Sequence, residues 1–542
     1  MDRLKRAIEE WRHVLPLEGV LTGDSLDVYR VNCLSIERSI GACLRPACEA
    51  QVVHIVQIAS HYKVPLYAIS TGHNWGYGTS LPVAENCVIV DLSRMNRILQ
   101  MDPELGLITL EPGVTQRQLF EYLSTAKLDF FVPTTGAGPT ASIVGNALER
   151  GFGMTPESDH FAAVASVRAV LPNGRIYQPY MSEIGAAAAD GIWKWGIGPY
   201  LDGLFAQGNF GIVTALQISL VRRPEHVEVF AFTQRDERKF SQLVDACREM
   251  FHDLKGPIGR VKFINQKQIE MTTGTRELGV GLKADFAWMG FGVIHCKRAM
   301  IGSLRASVRR SLKPLTSRLI FVNSRRLHLL KQLCRVTPSW LSGKLAEPVD
   351  RFQHLLEIVN GEPRGLELQL VYRHVPYNPT KESMDPIRDG VGVIWYAPAI
   401  PLKGAIVGQM VEMIQGTLQK YSFEQALSIT TLSEKCSMGV IPIIYKRPDE
   451  KQRAHQCFHE LWQRGVEIGC HPYRINIAAM QELTKSQDST FWHTVAQIKS
   501  ALDPDGILSP GRYARVSDEG HSCAFGPDDG EAGFAKVGSR VT

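Results

Sequence analysis

The sequence predicts an α+β fold of two domains, and three observations carry that reading. Residues 50 to 62 place Val52, Val53, Ile55, Val56 and Ala59 at helical spacing, and the apolar stretch Val64 to Ile69 follows at once as a buried strand. Further on, the run Ala163 to Leu171, the turn Pro172-Asn173-Gly174 and the run from Arg175 predict a β-hairpin. There Asn-Gly would supply the two positive φ angles of a type I′ turn. A chain of 542 residues with 44% apolar content is well beyond the size of one compact core, so two domains are expected.

In chain order, MDRLKRAIEEWRHVLP reads as an amphipathic helix and has no signal-peptide core. The helix and strand of residues 50 to 69 come next and run into Thr71-Gly72-His73-Asn74-Trp75-Gly76-Tyr77-Gly78. Three glycines in eight positions allow positive φ and let backbone N–H groups approach an anion such as a pyrophosphate. Taken alone, such a loop is weak evidence and is more often an ordinary surface turn. Beyond the hairpin, residues 210 to 221 form another strand-like run, closed by Arg222-Arg223-Pro224. Pro224 is the expected domain boundary, giving a first domain over 1–224, a second over 225–470 with longer helical patterns, and a return to the first over 471–515. Residues 516–542 are rich in Gly, Asp and Ser with few large apolar residues, and a disordered tail is expected there.

Composition narrows the classes of function. With 60 basic against 55 acidic residues the net charge is +5, and no basic run is dense enough for a nucleic-acid or membrane surface. The longest apolar runs are strand-length, short of the ~20 residues of a membrane span. Eleven cysteines without CxxC pairs fit a reducing cytoplasm and are expected to be mostly buried small hydrophobes. No set of His, Cys and carboxylates has metal-ligand spacing, and no GxGxxG follows a strand in a dinucleotide-binding context.

Five blocks in one order carry a more specific reading. They are the loop 71–78 with Val88 to Ile98; Leu110-Glu111-Pro112-Gly113-Val114-Thr115; Ser142-Ile143-Val144-Gly145-Asn146-Ala147-Leu148-Glu149-Arg150-Gly151 with Thr155-Pro156 and Asp159-His160; Gly208-Asn209-Phe210-Gly211-Ile212-Val213-Thr214; and Leu502 to Arg512. With them the chain resembles, over most of its length, the vanillyl-alcohol oxidase and p-cresol methylhydroxylase family of flavoenzymes. The resemblance implies a two-subdomain FAD-binding domain with an α+β substrate (cap) domain. It further implies FAD held by Thr71, Gly72, His73, Asn74, Gly76, Ser142, Gly145, Asn146, Glu149, His160, Gly211, Ile212 and Arg512.

The resemblance also assigns roles by position. In the wider superfamily a His at the place of His73 is bonded to the flavin 8α-methyl, whereas this branch usually has Arg there and takes its covalent His or Tyr from the second domain. That second-domain position is Val393, five before Pro398 in Trp395-Tyr396-Ala397-Pro398, and valine cannot form the bond. Covalent FAD through His73 is therefore expected, the plainer alternative being a hydrogen bond from His73. Tyr473-Arg474 matches the family's Tyr-Arg pair, which works with Tyr77 in the first loop. Two phenol O–H groups and a guanidinium converging on one oxygen would hold a substrate phenol as phenolate.

One position departs from the family. Its acid beside the flavin falls at Ala137 here, which counts against benzylic hydroxylation and favours loss of a β-proton or β-carboxylate from a quinone methide. Asp389 is the expected alternative acid, with a loop cap as its other reading, and Arg373-His374 is expected on a second-domain strand, as a pocket-lining pair or, more commonly for a lone His on a strand, as a satisfied core residue. The expected activity is FAD-dependent oxidation of a para-substituted phenol, with a non-phenolic alcohol or amine of secondary metabolism as the alternative. Reduced flavin would then pass electrons to O2 or a protein acceptor, and a homo-oligomer is expected.

Overall fold

The computed structural model describes residues 2–186, 188–273, 285–336, 349–350, 352–375, 384–485 and 489–515. The expected tail over 516–542 lies outside the described residues. Three sheets organise the chain. The first has the order β1 (Val20–Leu21), β2 (Ile40–Leu44), β4 (Cys87–Asp91), β3 (Leu66–Ile69). Both β2 and β3 run parallel to β4, because the helix Glu49–Tyr62 crosses between them and buries Val52, Ile55, Val56 and Ala59 against the sheet. The N-terminal helix Asp2–Val14 packs on the same core through Ala7 and Trp11.

The second sheet has the order β5 (Ile98–Asp102), β6 (Leu107–Leu110), β9 (Ile212–Ser219), β7 (Val164–Val170), β8 (Ile176–Tyr177), and every pairing is antiparallel. The β7–β8 connection corrects the expected turn. Gly174 has φ +77° but Asn173 has no positive φ, so the type I′ geometry is absent. Instead Gly174 N–H donates to Leu171 O and Leu171 N–H donates to Arg175 O, both at 2.8 Å. This is a three-residue loop with glycine in the left-handed position, and Pro172 supplies the φ that its first corner needs.

The third sheet has eight strands. Its main path runs β13 (Arg318–Val322), β10 (His226–Gln234), β12 (Trp288–Cys296), β11 (Ile258–Asn265), β16 (Ser428–Thr431), β17 (Cys436–Tyr445), β14 (Gly392–Tyr396), and β15 (Ala399–Pro401) pairs with β17. The chain enters it between Ser219 and His226, the stretch that contains Pro224. The helices Phe240–Asp253, Ile301–Leu312, Gly404–Lys420 and Lys451–Glu467 share one apolar core with this sheet, built on Phe230, Phe232, Phe263, Trp288 and Phe458. The C-terminal segment comes back to the first sheet, where Leu508 bridges Leu66 in parallel. A buried Lys499 fixes this return by donating to Asp503 at 2.5 Å and to the carbonyls of Asn209 and Leu508. Cys33, Cys43, Cys247, Cys296, Cys457 and Cys470 are buried. Among the described residues no helix is long and apolar enough to cross a membrane.

Candidate active site

The loop after β3 begins where the strand ends at Ile69, and its glycines have a different task from the one the sequence suggests. Gly72 (φ +70°) turns the chain where a Cβ would lie 2.6 Å from Ser80 Oγ. Gly76 (φ +73°) lets Trp395 of β14 approach to within 2.3 Å of where its Cβ would be, and Gly78 does the same for Ile477. Two of the three glycines thus admit side chains from distant segments. Thr71, Gly72, His73 and Asn74 line a cavity of about 1080 Å³, whereas Gly76 stands behind its wall.

The same cavity is lined by Ser142, Gly145, Asn146 and Glu149, by Gly211 and Ile212 at the start of β9, and by Arg512. Ser142 caps the short helix Ile143–Leu148, its Oγ donating to Pro112 O at 2.6 Å and accepting from Gly145 N–H at 2.8 Å. A side chain on Gly145 would begin 2.3 Å from Ser70 Oγ, so glycine here sets how closely this helix meets the end of β3. His160 is not a lining residue. It is buried behind Asn146, to which its Nδ1 lies 2.6 Å from Oδ1, and burial pushes its pKa down to about 4. The neutral ring fixes the Asn146 amide.

His73 is held by Thr140, whose Oγ1 is 3.1 Å from Nδ1, and it stacks on Trp75 with ring centroids 5.0 Å apart. Burial lowers its pKa, which favours the neutral imidazole. Val393 on β14 is buried and lines the cavity, as does Trp395, so this strand presents its 393 position to the same space.

At one wall a charged group forms from three segments. Glu149 forms ion pairs with Arg474, whose Nε lies 2.9 Å from its carboxylate, and with Arg512, and Arg512 Nη1 donates to Tyr67 OH at 2.9 Å. Arg474 Nη2 also donates to Asn74 Oδ1 at 2.5 Å, and its guanidinium lies 4.3 Å from the Tyr77 ring centroid. Two guanidiniums on one carboxylate leave one net positive charge. The Tyr473 hydroxyl stands between Arg474 and the Tyr77 hydroxyl: burial raises its pKa, while the Arg474 charge and both hydrogen bonds lower it. Tyr77 is pushed well up, first by burial. Tyr77, Tyr473 and Arg474 are thus brought together, and all three line the cavity.

Two expectations fail. Asp389 is absent from the cavity lining; its carboxylate accepts from Arg388 Nε and Tyr372 OH, each at 2.7 Å, and from Asp385 N–H at 3.2 Å, which makes it the cap of the 385–390 turn. Arg373 and His374 lie in an exposed turn after the 3-10 helix Leu366–Tyr372, not on a strand. Conversely, Lys262, Gln268, Phe291, Glu367 and Thr430 line the cavity although no motif marks them. Alternation along β11 is the signal for Lys262: Val261 and Phe263 enter the apolar core, so Lys262 and Ile264 face the other way, into the cavity.

The residues present fit FAD. Trp75 Nε1 is buried beside the cavity without an acceptor among the described residues, and Asn74, Ser142, Asn146 and Gln207 add polar groups to the wall. Residues 41–178 match the family model "FAD binding domain". The chain is 34% identical to 1'-carboxy-chondrochloren decarboxylase of Chondromyces crocatus, over 94% of this chain and 97% of that protein. To the 4-cresol dehydrogenase [hydroxylating] flavoprotein subunit of Pseudomonas putida it is 28% identical, over 94% and 95%. The structure of p-cresol methylhydroxylase with substrate bound superimposes with a TM-score of 0.82 at 26% identity, covering 95% of this chain and 98% of that one. The protein is therefore an FAD-dependent oxidoreductase, and the chain belongs to the vanillyl-alcohol oxidase and p-cresol methylhydroxylase family.

Proposed function

We propose that this enzyme oxidises a para-substituted phenol at its benzylic carbon, and that the oxidised side chain then loses a carboxylate. The meeting of Tyr77, Tyr473 and Arg474 on one cavity wall carries the reading. A phenol seated there gives up its proton because its oxygen would accept from two hydroxyls and a guanidinium, in a cluster with one net positive charge. Bound FAD supplies a hydride acceptor. The electron-rich phenolate ring releases the benzylic hydride and becomes a neutral p-quinone methide. When the next carbon bears a carboxylate, its C–C bond breaks and CO2 leaves. The electron pair forms the alkene, and the ring oxygen regains the negative charge that Arg474 is placed to receive.

Ala137 lines the cavity and offers no carboxyl to activate a water, which favours this outcome over hydroxylation. The relative named a decarboxylase supports the same choice. His73 holds FAD covalently in this reading: its ring is neutral, its Nδ1 is positioned by Thr140, and Val393 cannot take the role. Reoxidation is by O2 or by a protein electron acceptor.

The test is anaerobic stopped-flow with 3-(4-hydroxyphenyl)propanoate and its O-methyl ether. The phenol should reduce the flavin and yield 4-vinylphenol and CO2, and the ether should leave it oxidised. Equal reduction by both would overturn the phenolate mechanism. A hydroxylated product that keeps its carboxylate would overturn the decarboxylation.

A further inference from the structure

The cavity holds a cation that the phenolate site does not use. Lys262 lies on β11 with Phe291 of β12 and Thr430 of β16 as its cross-strand partners, and all three line the cavity. Its side chain is half-buried, its ammonium lies deep in the protein, and no carboxylate is within ion-pair distance among the described residues. The Glu367 charge reaches it only through space and opposes a pKa that burial lowers. Glu367 is turned to another neighbour, with Oε1 3.7 Å from His354 Nε2, and its Oε2 is buried without a partner. His354 in turn faces Glu357, which pairs with Arg364 at 3.1 Å. Glu367, the carboxylate whose charge reaches Lys262, is thus directed at His354 through one oxygen and does not pair with the ammonium.

An ammonium deep in a protein without a counter-ion is costly, and such groups are normally paired. The open side of Lys262 is the cavity that receives the substrate, so the missing partner is an anion on the guest. The geometry points to Lys262 as the residue that holds the carboxylate of the substrate's para side chain, making the enzyme selective for phenols that carry an acidic chain. This rests on the phenol reading above. Lys262 would act in binding and not in bond breaking: an ammonium on the carboxylate stabilises the ground state, and C–C cleavage removes that charge. Its contribution belongs in KM and not in kcat.

The test uses the flavin-loaded enzyme and Lys262→Met, which keeps the length of the stem and removes the charge. The KM for 3-(4-hydroxyphenyl)propanoate divided by that for 4-propylphenol should rise on the order of tenfold to a hundredfold, the worth of one charge-assisted hydrogen bond. The unreactive 3-(4-methoxyphenyl)propanoate, followed by the flavin difference spectrum, should lose affinity by a similar factor. Because the lysine lacks a partner in the free protein, the melting temperature should hold or rise; a fall would mean a structural ion pair and would overturn the assignment. An unchanged KM ratio would also overturn it. So would equal loss with acidic and neutral phenols together with a shifted flavin potential, since Lys262 would then serve the flavin. Failure of the phenolate mechanism shows separately, as reduction by the methyl ether in the wild-type enzyme.

Discussion

Arg474→Ala is the sharpest perturbation of the proposed site, because that side chain makes four contacts at once. It donates to Asn74, pairs with Glu149, lies over the Tyr77 ring and lowers the pKa of Tyr473. Without it Glu149 and Arg512 neutralise each other, and the cluster's net charge falls from +1 to zero. A bound phenolate then keeps two neutral donors and loses one charge-assisted bond worth about 1.5 to 3 kcal/mol. That range corresponds to flavin reduction roughly 10- to 150-fold slower. The same loss raises the pKa of the bound phenol, so the rate of the variant should climb with pH to a higher limit than in the wild type. Tyr473→Phe removes one O–H and leaves the charge, and should cost less. Single-turnover reduction across pH with a para-alkylphenol reads all three effects. Reduction by Arg474→Ala within threefold of wild type, with an unshifted pH profile, would refute phenolate stabilisation by this residue.

Other expectations follow from the same geometry. FAD should stay attached after SDS or acid denaturation, and His73→Ala should release it from a folded protein; complete release from denatured wild type would exclude the His73 link. Glu149→Gln leaves two buried guanidiniums without their shared counter-charge and should cost on the order of 3 kcal/mol, read as a lower melting temperature of the flavin-loaded protein. An unchanged melt would mean that solvent already screens the cluster. His160 and His295 have folded pKa values pushed down to about 4 by burial, below the ordinary value near 6.5, so the unfolded chain takes up protons first as pH falls. Stability should therefore be full above about pH 6.5 and decline toward pH 4, by on the order of 3 kcal/mol for each ring. His295→Gln should flatten part of that slope, and chemical denaturation at several pH values would reveal an absent one.

The fold was legible where local pattern and position agree. The helix at 49–62, the strand before the loop and the strand at 212–219 all follow from periodicity. The trio proposed to bind a phenol is legible because each member sits in a recognisable block, although Tyr77 and Tyr473 are far apart in sequence. What escaped is set by tertiary contact. Gly76 and Gly78 look like ligand-cradling residues, yet their missing Cβ atoms make room for Trp395 and Ile477, which no local reading of the loop could supply. Asp389 looked like a free acid because the turn that consumes it is closed by Tyr372 and Arg388. Lys262 and Glu367 come from a strand and a 3-10 helix without any motif; Lys262 reaches the cavity through the pairing of β11 with β12 and β16, and Glu367 reaches it from the helix Leu366–Tyr372.

The positive wall of the site is also where distant parts of the chain are joined. Glu149 follows the short helix Ile143–Leu148, Asn74 belongs to the loop between β3 and β4 of the first sheet, and Arg474 and Arg512 belong to the C-terminal return. Tyr473 adds a link through its carbonyl, which accepts from Gln207 at 2.9 Å, and its N–H donates to Ala397 beside β14. The groups that would bind a phenolate are therefore fixed before any substrate arrives, and little ordering cost remains to be met on binding. The same wiring limits what the site can trade. In the proposed reading, a change that weakens the guanidinium on the substrate oxygen would also loosen the return of the chain, whereas Lys262, without an ion-pair partner among the described residues, would change the side chain that is accepted and leave the clasp intact.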